Sequence, residues 1–135
     1  MAVQPPNTTP DNIVSWKPIL LMTTAAPSNA PWYQGKKLPP LGLSYVAGAL
    51  EKAGFQVEML DNYMLNKPID EVKQLVSRLN PGIVGITCGS ATYRRCLETA
   101  RAVRETLPSC KIVLVVGTLL TCPTACWSSL MWMML

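Results

Sequence analysis

Short apolar stretches alternate along the chain with longer stretches in which apolar residues recur every three or four positions. The short stretches predict strands at Ile19–Thr23, Gln56–Leu60, Ile83–Thr87 and Ile112–Val116. The third stretch is rich in β-branched residues, and the third and fourth are expected to be buried strands. The longer stretches predict amphipathic helices at about Leu41–Ala53, at about Ile69–Leu79, and from Ala91 to the residue before Pro108. The predicted order is therefore strand and helix in alternation, closed by a fourth strand.

Each predicted helix has one apolar face, which we expect to pack on the sheet. The residues of the three faces are Leu43, Val46, Ala47 and Leu50; Ile69, Val72, Leu75, Val76 and Leu79; and Cys96, Leu97, Ala100, Val103 and Leu107. Gly54 fits the position just after the first helix. Asn62, Asn66 and Pro68 predict a polar turn after the second strand, and residues 80–82 (Asn-Pro-Gly) predict another before the third.

The alternation of strands and helices predicts the fold class. Parallel strands need a crossover connection, and a helix usually supplies it. With right-handed crossovers, the chain forms an α/β fold: a Rossmann-like, flavodoxin-like open sheet of about four parallel strands in a three-layer αβα arrangement. Ligands bind such sheets at the carboxyl ends of the strands. We expect Thr87, Cys88, Gly89, Ser90 and Gly117 to lie at this edge.

The composition restricts the class of protein. The 135 residues suffice for one domain, with 49% hydrophobic and 15% charged residues. The net charge of +4 is small, and no aromatic residues are interleaved with basic ones, so we expect no nucleic-acid partner. Four arginines crowd the last helix, and a solvated helix face is the favoured interpretation. Five irregularly spaced cysteines and the lack of a signal peptide predict a reduced, cytoplasmic location.

The chain divides into three segments. Residues 1–16 are polar and Pro-rich, and we expect them to be a disordered lead. Residues 17–117 hold every predicted strand and helix, with a long loop at Thr24–Lys37 that we expect to be functional or mobile. Residues 118–135 carry no charge. With Ile112–Val116 they are long enough to span a bilayer, but Gly117 and Pro123 interrupt the run, so a core strand is favoured over a membrane helix.

The codons of the uncharged tail suggest a frameshift. Met and Trp have one codon each, so Met131–Met134 must be encoded ATG-TGG-ATG-ATG. Read one base earlier, these codons give Val-Asp-Asp in the interior. The same shift forces Leu at the position of Trp127. Over Thr121–Cys126 the shifted frame permits Tyr-Met-Pro-Asp-Ser-Leu. That shifted tail has the composition of a surface helix. Our hypothesis is that a frameshift near Gly117–Thr118 truncates a longer protein.

Two stretches carry a family resemblance. The first, residues 39–61, contains Pro-Pro-Leu-Gly at the start of a helix and Gly-Phe-Gln-Val-Glu-Met-Leu-Asp over the following strand. The second, residues 81–88, reads Pro-Gly-Ile-Val-Gly-Ile-Thr-Cys, and Lys111–Gly117 follows it at matching spacing. Over about Lys17–Gly117 the chain resembles the N-terminal cobalamin-binding domain of cobalamin-dependent radical S-adenosylmethionine enzymes.

The resemblance implies that the corrin ring lies over the carboxyl edge of the sheet and that the nucleotide tail descends between strands and helices. It implies that the start of the first helix contacts the corrin and that small and hydroxyl residues after the third strand meet the corrin or its tail. It also implies that Gly117 lets the backbone approach the nucleotide. The candidate cofactor-binding residues are Pro40, Leu41, Gly42, Asp61, Thr87, Cys88, Gly89, Ser90 and Gly117.

The chain departs from the wider group of cobalamin proteins. It has no histidine, so it lacks the Asp-x-His-x-x-Gly motif of the mutases and methionine synthase. We therefore expect base-off cobalamin with no His ligand, and no metal bound by protein side chains. Thr118 replaces the glycine expected after Gly117. The module is expected to have no catalysis of its own; an iron–sulfur cluster and S-adenosylmethionine belong to a longer parent, such as a methyltransferase.

A cysteine-dependent phosphatase or arsenate-reductase-like enzyme is the alternative. Residues 88–94 match Cys-x5-Arg between a strand and a helix, with Cys88 as the nucleophile and Arg94 as the phosphate ligand. Arg95 stands where a Ser or Thr usually supports the thiolate. The other interpretation of Cys88 is a small buried residue at a strand end.

Three further features complete the sequence predictions. A receiver-like interaction domain ranks low, because residues 23–25 (Thr-Thr-Ala) replace its acidic cluster. Cys122 and Cys126 begin an iron–sulfur spacing, but Ser129 stands at the third position. A sheet that ends at the fourth strand leaves an unpaired edge, which predicts self-association.

Overall fold

A computed structural model describes residues 17–26 and 39–116. The strands are β1 (Ile19–Thr23), β2 (Val57–Leu60), β3 (Ile83–Cys88) and β4 (Lys111–Val116). The helices are α1 (Leu41–Lys52), α2 (Asn62–Leu65), α3 (Ile69–Leu79) and α4 (Tyr93–Thr106), and a 3₁₀ turn at Ser90–Thr92 leads into α4. The predicted lead, most of the long loop, Gly117 and the uncharged tail lie outside the described residues.

All four strands are parallel, in the order β2-β1-β3-β4. This is the flavodoxin-like order that the alternating pattern predicts, and it is confirmed. Ile19 pairs with Val57 on one side and with Ile83 on the other. Because the strands run in one direction from this common register, their carboxyl ends meet at one edge of the sheet.

The central strand β1 is buried on both faces, which makes the sheet the middle of three layers. Leu20 and Met22 belong to the larger core cluster, which packs between the sheet and helices α3 and α4. Leu21 belongs to the smaller cluster, with Leu43 and Ala47 of α1. The alternation of β1 side chains between the two clusters follows from the two-residue period of a strand.

Helix α1 ends just before Gly54, the glycine that the sequence predicts after this helix. Gly54 has a φ of +89°, a conformation that side chains rarely adopt. Its N–H donates to the carbonyl of Glu51 at 2.9 Å, and the N–H of Phe55 donates to the carbonyl of Leu50 at 3.1 Å. These two bonds form a Schellman motif, which turns the chain sharply from α1 into β2.

Four local predictions are wrong. Ile112–Val116 was expected to be a buried strand, but Val113 and Val115 are 45% and 57% exposed. Val46 and Ile69 were expected in the core but are 49% and 40% exposed. Helix α1 contacts β1 and β2 through Leu43 and Ala47, and Val46 lies beside that stripe rather than on it. The polar turn expected after β2 contains the short helix α2.

One part of the sheet has no helix over it among the described residues. Ile83, Val113 and Val115 lie on the α1 side of β3 and β4 and are 36%, 45% and 57% exposed. Helix α1 contacts β1 and β2 instead. We call these three residues the open strip. Within residues 17–26 and 39–116, no helix is long and apolar enough to cross a membrane.

Candidate functional site

The carboxyl edge of the sheet brings together the ends of β1, β2 and β3. Thr23 pairs with Thr87 across β1 and β3, and Asp61 follows β2 directly. Helix α1 begins on the same side, because it follows the carboxyl end of β1 in the chain. Predicted cofactor-binding residues from three separate segments of the chain therefore lie at one edge of the sheet.

A hydrogen-bond cluster joins β1 to the turn after β2. The Thr23 hydroxyl donates to Oδ1 of Asp61 at 2.9 Å and accepts the N–H of Tyr63 at 2.9 Å. Oδ1 of Asp61 also accepts the N–H of Met64 at 3.4 Å and so caps α2. Asp61 is half-buried. Its carboxylate fixes the shape of this edge, a role that its position at a strand end does not reveal.

The residues after β3 form a second, smaller polar cluster. The Thr87 hydroxyl lies 3.5 Å from the carbonyl of Met22, to which it donates. The N–H of Gly89 donates to the Thr92 hydroxyl at 3.0 Å, which closes the 3₁₀ turn over residues 90–92. Gly89 is exposed, and a Cβ there would meet only Thr92 Oγ1, at 3.7 Å. The turn leaves a small, open surface beside the strand ends.

Helix α1 starts with an exposed apolar turn. Pro40 is its N-cap, no side chain caps it, and its first turn holds no acidic residue. The N–H groups of Gly42 and Leu43 lie in that first turn, where a helix cannot supply partners. Leu41 and Tyr45 are 65% and 80% exposed, and nothing lies within 4 Å of a Cβ at Gly42. This helix end combines free donors with an open apolar surface.

Cys88 is a core residue in this structure. It is 4% exposed and belongs to the larger core cluster with Cys96. Burial, followed by the hydrogen bond and charge interaction with Cys88, raises the pKa of Cys96 to about 12. Arg94 is exposed on α4. The Cys-x5-Arg spacing therefore does not form a phosphate loop, because its cysteine packs against Cys96 beneath the helix that carries the arginine.

Sequence reasoning missed a groove of about 620 Å³ between α2, α3 and α4. Asn62, 3% exposed, has its carboxamide bonded to the backbone N–H and carbonyl of Lys67 at 2.8 and 3.4 Å. Arg95 crosses the groove and donates to the carbonyl of Ala26 at 2.7 Å. Only the placement of Asn62 two residues after the end of β2 could have signalled this groove. Arg95 thereby ties the exit of β1 to α4.

A comparison with known protein families assigns the chain to one of them. The model of the B12-binding domain matches residues 34–124, about two thirds of the chain. The chain belongs to the B12-binding domain family. The match includes α1, Asp61, the turn after β3 and Gly117, although Gly117 lies outside the described residues. No curated protein matches the chain.

A solved structure shares the fold of this B12-binding domain. It is the radical S-adenosylmethionine methyltransferase TsrM from Kitasatospora setae, with tryptophan substrate and a S-adenosylmethionine analogue bound. The TM-score is 0.58 at 19% identity, over 74% of this chain. This chain spans 19% of the TsrM chain. Among the described residues, no cluster of three or more His, Cys, Asp or Glu side chains could hold a metal ion.

Proposed function

We propose that the chain is a cobalamin-binding module from a cobalamin-dependent radical S-adenosylmethionine enzyme. One observation carries the proposal: in a member of the B12-binding family, the uncapped and uncharged start of α1 adjoins the hydrogen-bonded carboxyl edge of the sheet. The fold shared with TsrM supports the type of parent enzyme. A reducing, cytoplasmic location is part of the proposal, and Cys88, Cys96 and Cys110 are free thiols.

The residues at the edge fit a corrin ring. A corrin is broad and flat, with an apolar ring system and amide side chains around its rim. Leu41 and Tyr45 offer exposed apolar surface, and Gly42 leaves space above the first turn. The N–H groups of that turn and the Thr87 hydroxyl are partners for amides. Pro40, Gly89 and Ser90 border the same surface by chain position.

The nucleotide tail needs a path between the edge and the body of the domain. The open strip of Ile83, Val113 and Val115 supplies an apolar one beside α1, below Thr87. Gly117 follows β4 directly in the chain and is part of the proposal as the residue that lets the backbone approach the nucleotide. Burial of a nucleotide base against aliphatic side chains is favoured by the removal of apolar surface from water.

The protein supplies no histidine to the cobalt, since the 135 residues contain none. Cobalamin would bind without a protein ligand to the metal, and a nucleotide tail that descends between strands and helices would leave it in the base-off form. Bound cobalamin supplies a redox-active cobalt ion that can bond to carbon, and this chain binds and orients it. An iron–sulfur cluster, S-adenosylmethionine and the substrate belong to a longer parent enzyme, and the module is not catalytic alone.

The test mixes the purified chain with hydroxocobalamin, desalts the mixture and records the visible spectrum. We expect retained corrin with a base-off spectrum. Gly42→Trp places bulk on the proposed corrin surface and is expected to weaken binding at least about tenfold. Gly48→Trp is the matched control, because it also lies in α1 with nothing within 4 Å of its Cβ. The proposal would be refuted if the unsubstituted chain retained no corrin after desalting, or if the two substitutions weakened binding equally.

A further inference from the structure

The backbone leaves β1 on the α4 side of the sheet. Thr24 is 2% exposed, and Ala25 lines the groove of about 620 Å³ together with residues of α4, Arg95 among them. Helix α1 packs on the opposite face of the sheet, in the smaller core cluster. Residues 24–26 therefore lie away from the side on which the proposed corrin surface begins, at the start of α1.

One side chain holds the backbone on that side. Nη1 of Arg95 donates to the carbonyl of Ala26 at 2.7 Å. Both residues are half-buried, so the bond is partly shielded from water, and its charged donor makes it stronger than a bond between neutral groups. The pairing of β1 with β3 ends at Thr23 and Thr87. The Arg95 bond therefore extends the attachment of the chain to β3 and α4 beyond the end of the strand.

The guanidinium of Arg95 projects from a turn of helix that lies next to the proposed site. Arg95 is the third residue of α4, which begins at Tyr93, directly after the 3₁₀ turn that follows Gly89. Its own carbonyl accepts the Thr99 hydroxyl at 2.8 Å. The next residue, Cys96, is 1% exposed and fixes this turn in the larger core cluster. Arg95 therefore joins two borders of the carboxyl edge, which are the exit of β1 and the turn after β3.

We propose that Arg95 is a positioning residue for the corrin. By holding the Ala26 carbonyl on the α4 side, it keeps residues 24–26 off the edge between the start of α1 and the turn after β3. The inference rests on the proposed function, because that edge is the proposed corrin surface. Arg95 acts through the backbone of Ala26 and does not touch the cofactor. Without its bond, residues 24–26 can lie over Thr87, and only the fraction of molecules with an open edge binds the corrin.

The experiment measures the rates at which the purified chain binds and releases hydroxocobalamin, by stopped-flow absorbance. Arg95→Met removes the donor and keeps an unbranched side chain. We expect it to slow association at least about tenfold and to leave the dissociation rate within about twofold, because a smaller binding-competent fraction lowers the apparent affinity without changing the bound state.

Two further variants separate the bond from the charge. Arg95→Lys restores one donor on a side chain of similar length, and it is expected to recover association to within about threefold of the unsubstituted chain. The matched control is Arg94→Met, which removes the same charge from the exposed neighbouring residue. It is expected to change neither rate by more than about twofold.

Circular dichroism establishes that each variant is folded before its rates are compared. If Arg95→Met is unfolded, Arg95→Gln replaces it with the same expected rates, because its shorter side chain cannot reach Ala26. The role of Arg95 is overturned if the variant associates as fast as the unsubstituted chain, if its affinity is lost through faster dissociation, or if neither variant folds. An unsubstituted chain that binds no hydroxocobalamin overturns the proposed function and the role of Arg95 together.

Discussion

Gly85 lies at the centre of β3, directly opposite Leu21 of β1. A Cβ at Gly85 would stand 2.8 Å from Cδ2 of Leu21, closer than real Cβ contacts come, and no other atom lies within 4 Å of it. Leu21 is 6% exposed and packs against α1 in the smaller core cluster, so it has little room to move. We therefore predict a strong and specific coupling between these two positions.

The magnitudes follow from packing. Gly85→Ala adds one methyl group that overlaps Cδ2 of the buried Leu21 side chain, which costs about 1–3 kcal/mol of unfolding free energy. Leu21→Ala removes the clashing carbon and leaves a cavity, at a cost of about 2–5 kcal/mol. In the double variant the new methyl group occupies part of that cavity. The two costs are therefore expected to fall short of additivity by at least about 1 kcal/mol.

Urea unfolding of the four proteins measures this coupling. The control cycle pairs Gly85→Ala with Leu43→Ala, because Leu43 is equally buried in the same cluster but does not approach the Gly85 Cβ. The control is expected to be additive within about 0.5 kcal/mol. Additivity of the Gly85 and Leu21 substitutions within the same margin would refute the reasoning.

Two further predictions concern the carboxyl edge and the buried thiols. Asp61→Ala removes the acceptor of the Thr23 hydroxyl and the cap of α2, and it is expected to lower the free energy of unfolding in urea by about 1–2 kcal/mol. The control is Glu58→Ala, an exposed position on β2, which should lower it by less than about 0.5 kcal/mol. Equal losses in the two variants would contradict the role of Asp61. Because burial raises the pKa of Cys96 from 9.0 to about 12, the folded chain keeps a proton above pH 9 that the unfolded chain releases. Stability is therefore expected to fall as the pH rises from 9 to 11, and Cys96→Ala should flatten this fall; a wild-type slope in the variant would contradict it.

The parts of the fold that depend on local pattern could be predicted from sequence. The bounds of β1 and α3 agree with the expected ones, because a short apolar run and a helical period are both local signals. The strand order is confirmed because the alternation of strands and helices leaves few arrangements of a parallel sheet.

The parts that depend on which elements meet could not be predicted. Helix α2 has four residues, too few to show a period. The role of Cys88 depends on its contact with Cys96, and that contact arises because α4 folds back over β3; the sequence spacing fitted a phosphate loop equally well. The bond from Arg95 to Ala26 joins positions far apart in the chain, and no local pattern signals it.

At the site, the sequence identified positions but not their contacts. Thr87, Asp61 and the start of α1 do meet at one edge, because strand ends of a parallel sheet share an edge. The Asp61 carboxylate accepts hydrogen bonds from Thr23 and from the start of α2. These bonds depend on the direction of the side chain, which the position of Asp61 after a strand does not determine. The assignment of these residues to the cofactor stays a prediction.

The central position of β1 has a consequence for the synthesis of the chain. β1 is the earliest of the described strands to be made, yet it lies between β2 and β3 in the finished sheet, and Ile83 follows Thr23 by 60 residues. At about 5–20 residues per second, the ribosome needs roughly 3–12 s to deliver β3. During that time the apolar residues of β1 have no completed sheet to join. The nascent chain therefore offers chaperones an apolar target in β1, and conditions that speed aggregation relative to translation will lower the yield of folded protein.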